Sequence, residues 1–195
     1  MKFKTCIAAL LLLCAYSRLQ GQITKIQPLN INGRLPDITL QNIINYSKPM
    51  AKLSELQGNR TRLILFDFWL TSCIPCIHAF PKLDSLQHAF NGSLQVIMVT
   101  TEAPGTVQSF LKKWEERNKR KFSIPIVTAD TVIQQYLRQA SKPSYAWLAP
   151  DNILLAQTSA SFISKDIITA YITSLMHDEV YSNYFKKDYK TQKPN

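Results

Sequence analysis

Cys73 and Cys76, separated by Ile74 and Pro75, carry the strongest chemical signal in this chain of 195 residues. They stand where an apolar, β-branched and aromatic run, Arg62 to Trp69, gives way to helical spacing from Ile74 onward. A helix N-terminus presents unpaired N–H groups and partial positive charge, and both favour a thiolate. Cys73, at the edge, is the expected low-pKa nucleophile, and Cys76, one turn inside, is the expected resolving thiol. Pro75 lacks an N–H and restricts the turn between the sulfurs. Asp67 is the second informative residue, because an acid within an apolar strand is costly unless paired or used. Its position ahead of Cys73 would place it in the core beneath the pair. Burial there would raise its pKa and let it accept the Cys76 proton through a water. The plainer alternative is a strand-edge acid satisfied by Arg62 or a hydroxyl.

Other chemistries fit these residues less well. Haem attachment needs His directly after the second Cys, and Ile77 stands there. A four-cysteine zinc site lacks its second pair once a signal carrying Cys6 and Cys14 is removed. A copper- or zinc-holding chaperone using Cys73, Cys76 and His78 is the alternative function. A peroxidase would carry a Pro shortly before its reactive cysteine, and none occurs from Phe68 to Ser72.

The N-terminus reads as a secretory signal over residues 1–22, with Lys2 and Lys4 before an apolar run from Cys6 to Tyr16. The run is short for a bilayer span. Lipidation at Cys14 is a variant of this reading, although Leu13 sits where a small residue is expected. Signal removal takes Cys6 and Cys14 with it and leaves the close pair alone. In an oxidising compartment such a pair is a local redox unit, since its small loop adds little to stability. The formal charge is +10, and loss of Lys2, Lys4 and Arg18 with no acid would leave +7. Much of the excess lies in Lys112–Lys121 and Lys186–Lys193, read either as solvated stretches or as attraction to acidic partners or an anionic surface. No pattern of aromatic and basic residues points to nucleic acid.

The elements that must position the pair follow from periodicity. Strands are expected at Asp37–Leu40, Arg62–Trp69, Leu94–Val99, Phe122–Val127, Ser144–Leu148 and Ile153–Gln157. Helices are expected at Ile74–Phe90 with Pro81 as a kink, at Thr106–Arg117, from an Asp130 cap through Leu137, and at Ile163–Met176 with Ser164 as cap. Residues 23–36 read as an extended lead-in, and Leu53–Leu56 as a helical turn. This alternation, closed by a hairpin and a helix, predicts an α/β domain over residues 23–179. A central mixed β-sheet would be flanked by helices on both faces, with a basic tail over 180–195.

The segment Phe66-Asp67-Phe68-Trp69-Leu70-Thr71-Ser72-Cys73-Ile74-Pro75-Cys76 resembles the active-site segment of thioredoxins, most closely the exported or membrane-associated TlpA/ResA-like branch. Pro81 matches that family's helix kink, and Asp37–Leu40 followed by Leu53–Leu56 resembles the branch's lead-in. The resemblance covers about Leu35 to Met176. It implies a thioredoxin-like fold, a thiol–disulfide oxidoreductase without a cofactor, and a periplasmic or cell-envelope location. It also implies protein disulfide or dithiol substrates, a membrane electron donor and a monomeric state. The implied role is reductive, in cytochrome c maturation or general thiol reduction. Pro143, in Ser141-Lys142-Pro143-Ser144, matches the family's cis-proline facing the redox pair. Trp69, Pro75 and Lys142 are the residues expected to meet substrate. Three departures stand out. Ser72 replaces the usual Trp, and Ala79 stands where ResA-like members carry a Glu, which leaves Asp67 as the candidate base. Lys142 precedes the proline, where its ammonium would stabilise the Cys73 thiolate.

Overall fold

The computed structural model describes residues 26–177, so the expected signal and basic tail lie outside the described residues. The lead-in ends in β1 (Thr39–Leu40), followed by β2 (Ile43–Ile44) and β3 (Ala51–Lys52). A 3-10 turn at Leu53–Leu56 leads to the central strand β4 (Leu63–Phe68). Then come α1 (Ile74–Ala89), β5 (Leu94–Val99), α2 (Pro104–Asn118) and β6 (Ile126–Val127). The one-turn α3 (Ile133–Tyr136) precedes the hairpin β7 (Ser144–Leu148) and β8 (Leu154–Thr158), and α4 (Lys165–His177) follows.

The main sheet has the order β2-β6-β5-β4-β7-β8. Strands β4, β5 and β6 are parallel, and β2, β7 and β8 join antiparallel to their neighbours. β1 and β3 form a separate two-stranded ribbon. Side chains alternate across a strand, so β4 feeds two cores. Leu63 and Leu65 join one layer under α1, α2 and α4, whereas Ile64, Phe66 and Phe68 join the other with Ile133, Leu35 and Leu53. Asp67 shares the parity of Leu63 and Leu65, and therefore enters the layer that holds Cys76. Phe80 of α1 is the hub of that layer, with ring centroids 5.0 Å from Trp69, 5.6 Å from Trp114 and 4.6 Å from Phe122.

Several boundaries differ from the periodicity. Only Ile126–Val127 of the expected Phe122–Val127 strand pairs in the sheet. The Phe122 N–H donates to Glu115, the Phe122 and Ile124 carbonyls accept from the Asn45 amide, and Pro125 has no N–H to offer. α2 starts at Pro104, a residue suited to the first helical position. Asp130 does cap α3, accepting from the N–H groups of Val132, Ile133 and Gln134, but the helix lasts one turn. Pro81 lies within α1 without ending it. The lead-in lies along β8, with Asn32 N–H on Leu154 O at 2.8 Å and Leu154 N–H on Gly33 O at 2.9 Å.

Candidate redox site

β4 ends at Phe68, and the chain turns through 69–72 into α1. Cys73 is the N-cap of this helix, and its Sγ accepts the Cys76 N–H at 3.3 Å. The two cysteines are joined as a disulfide. Cys73 is half-buried, whereas Cys76 is fully buried in the core beneath it. The pair therefore presents one sulfur outward and keeps the other inside, as the helix position requires.

Asp67 is fully buried, and neither carboxyl oxygen has a hydrogen-bond partner. The strand-edge alternative, with Arg62 or a hydroxyl satisfying it, does not occur. Burial pushes its pKa up from 3.8 to about 8, and the Lys142 charge offsets part of that rise. Tyr145 stands opposite Asp67 in the β4–β7 register. Its buried hydroxyl faces the carboxyl without reaching hydrogen-bond geometry, and burial raises the phenol pKa. The result is an acid that holds its proton through neutral pH in the same layer as Cys76.

Pro143 follows a cis Lys142–Pro143 peptide bond. Since Ser144 pairs with Phe68, Pro143 adjoins the end of β4 from which the chain runs to Cys73. Lys142 is half-buried, donates to Gln139 Oε1 at 2.8 Å, and lies 5.8 Å from the centre of the Phe68 ring. Burial lowers its pKa, while Asp67 and then Asp130 oppose that change. Its charge thus bears on the carboxyl under the pair. Pro75 is exposed at the start of α1, beside Ile74, and His78 is exposed one turn along.

Trp69 does not take the substrate-facing place that the family resemblance implies: it is fully buried, with its ring edge-on to Phe80. Its position has the inward parity of Leu63, Leu65 and Asp67, so the indole packs under α1 and belongs to the core. Among the described residues, no three His, Cys, Asp or Glu side chains gather as a metal-ligand set.

Glu102 carries no signal in the sequence. Its carboxylate accepts the Thr71 N–H at 2.7 Å and the Thr71 hydroxyl at 2.6 Å, and so fixes the turn that delivers Cys73. What could have found it is topological: β4 and β5 are parallel, so the residues just past Val99 lie beside those just past Phe68.

This layered mixed sheet, with a Cys-X-X-Cys disulfide at a helix entrance and a cis-proline leading into the strand beside β4, is a thioredoxin-like fold. Solved structures share it. A protein from Chlorobium tepidum, described as a thiol:disulfide interchange protein DsbE, matches with TM-score 0.58 at 18% identity, over 75% of this chain and 98% of its own. A secreted Mycobacterium tuberculosis disulfide oxidoreductase homologous to E. coli DsbE matches with TM-score 0.51 at 20% identity, over 71% and 96%. A reduced 2-Cys peroxiredoxin from Plasmodium vivax matches with TM-score 0.59 at 15% identity, over 76% and 98%. No family model matches the chain. The likeness defines the fold, and the chemistry rests on the cysteine pair.

Proposed function

We propose that this chain is an exported thiol–disulfide oxidoreductase that reduces disulfides of other proteins. The observation that carries the reading is the Cys73–Cys76 disulfide at the N-terminus of α1, with only Cys73 partly open to solvent. In the reduced protein, the Cys73 thiolate attacks a substrate disulfide. One substrate sulfur leaves as a thiol and the other forms a mixed disulfide with Cys73. Cys76 then attacks the Cys73 sulfur, the second substrate thiol leaves, and the Cys73–Cys76 bond is restored. The ionised fraction of Asp67, which Lys142 favours and which grows as the pH nears about 8, accepts the Cys76 proton through a water. The backbone beside Pro143 pairs with the substrate chain as an added strand would. A membrane electron donor re-reduces the pair, and the role is cytochrome c maturation or general thiol reduction in the cell envelope. Export is supported by the basic and apolar N-terminus, and one structural neighbour is a secreted protein.

Insulin reduction by the reduced protein, together with capture of mixed disulfides by Cys76→Ser, tests the activity. Captured partners are expected, and none under any redox condition would defeat the reading. The direction of electron flow is read from the reduction potential. A value around −270 mV marks a reductant, and one around −120 mV an oxidant that overturns the reductive role.

A further inference from the structure

An open groove of about 520 Å³ runs between α1 and α2, starting at Ile74, the residue after Cys73. Ile74, Ile77 and Pro81 line it from α1, and Phe110 and Trp114 from α2. Ile74, next to Cys73, is 66% exposed, a large apolar side chain left in water at the reactive sulfur. The groove lies on the flank away from Pro143: α2 connects β5 to β6, whereas Pro143 leads into β7 on the other side of β4. Strand pairing at Pro143 therefore leaves it open.

The lining contains Arg117 and no acid. Arg117 Nε donates to the Lys113 carbonyl at 3.2 Å, which fixes the side chain along α2. Among the described residues no carboxylate forms an ion pair with it. An apolar floor with Arg117, His78 and Asn118 at its rim and no acid complements a segment carrying an apolar side chain and a carboxylate.

We propose that this groove binds the polypeptide flanking the substrate cysteine, and selects substrates in which an apolar residue and an acidic residue lie close to that cysteine. The proposal rests on the oxidoreductase reading and names its substrate class. The apolar side chain covers Ile74 and the α1–α2 floor, and the carboxylate pairs with Arg117. Both contacts form outside the sulfur chemistry, so they act on encounter and on the lifetime of the mixed disulfide.

The test uses reduced full-length Cys76→Ser protein and disulfide-linked dimers of short cysteine peptides. One peptide carries Leu and Glu beside the cysteine, a second Leu and Lys, a third Ser and Glu. Hydroxyethyl disulfide, too small to reach the groove, is the reference. The Leu–Glu peptide should form its adduct about fivefold faster than the Leu–Lys peptide, the scale of one exposed ion pair. It should outpace the Ser–Glu peptide about tenfold, from partial burial of one apolar side chain. Arg117→Glu should reverse the Glu-over-Lys order when each peptide rate is taken relative to the same variant's hydroxyethyl disulfide rate. Lys112→Glu makes the same change in net charge away from the groove and should keep the original order. If Arg117→Glu and Lys112→Glu alter the preference equally, or if all three peptides react alike, the groove proposal is overturned while the oxidoreductase reading stands. Inertness toward hydroxyethyl disulfide as well would overturn both.

Discussion

A carboxyl sealed in an apolar layer, with the nearby Tyr145 hydroxyl short of hydrogen-bond geometry, makes folding depend on pH in an unusual direction. The folded protein holds the Asp67 proton up to about pH 8, whereas an unfolded carboxyl releases it near pH 4. Between those values the unfolded chain binds fewer protons, so stability falls as pH rises through the window and is unaffected below it. A tenfold difference in proton affinity between the folded and unfolded carboxyl is worth about 1.4 kcal/mol. Asp67→Asn should therefore be more stable than the parent by a few kcal/mol at pH 7.5 and nearly equal to it at pH 4, as read by urea denaturation of the oxidised protein. A parent no less stable than Asp67→Asn at pH 7.5 would mean that the carboxyl is not buried unpaired. The same residue governs the proposed proton transfer. Resolution of the mixed disulfide by Cys76 should speed up as pH rises through about 8, and Asp67→Asn should abolish that rise. Lys142 holds the acid partly toward ionisation, so Lys142→Thr should move the rise to higher pH. The same variant should raise the Cys73 pKa if the ammonium also steadies that thiolate, and a thiol titration reads this directly.

At the scale of elements, the turn between β4 and α1 is held from outside itself. Glu102 takes both donors of Thr71, and its own N–H is bonded to the Thr100 hydroxyl at 3.2 Å. Charge-assisted hydrogen bonds at a half-buried site are worth about 1.5 kcal/mol or more in total. Glu102→Ala should lower stability by about that amount and speed hydrogen exchange at the Thr71 amide, while the exchange of α4 stays as it was. Equal exchange at Thr71 in both proteins would remove the clamp from the account. Such a contact is not legible in the chain, because nothing local to Glu102 points to Thr71; it follows only from parallel pairing of β4 and β5. The disulfide and the buried acid are legible, since both announce themselves within one strand–helix junction. Trp69 misleads for a related reason: the segment's resemblance places it at the substrate, while its parity with Leu63 and Leu65 turns it inward. Phe122–Ile124 has strand composition, yet its backbone groups are taken by Glu115 and Asn45, partners too distant in sequence for periodicity to register.

For the molecule as a whole, the two cores meet at β4 and each is closed by a different kind of cover. One is closed by three helices around Phe80, the other by the lead-in and short turns. Phe80→Ala should cost about 3–5 kcal/mol, because it empties the hub of an aromatic cluster that has no small side chain to refill it. Leu35→Ala should cost about 2–5 kcal/mol despite its place in an irregular segment, since Leu35 is fully buried. Chemical denaturation measures both, and a near-neutral Leu35→Ala would show that the lead-in is dispensable. An extended stretch is all that the sequence of the lead-in predicts; its role as a lid over one core depends on meeting β8 and Tyr136, with the Leu29 N–H on the Tyr136 carbonyl at 2.8 Å.

The way the lead-in runs along β8 bears on behaviour in a crowded compartment. A sheet whose outermost strands offer long rows of vacant amides and carbonyls recruits copies of itself. Here one margin is only two residues long at β2, and at the other residues 32–35 cover the start of β8, at residues 152–154. A variant in which residues 32–35 peel away would bare the start of β8 to strand pairing by another chain, and it should aggregate faster than the parent in a light-scattering assay.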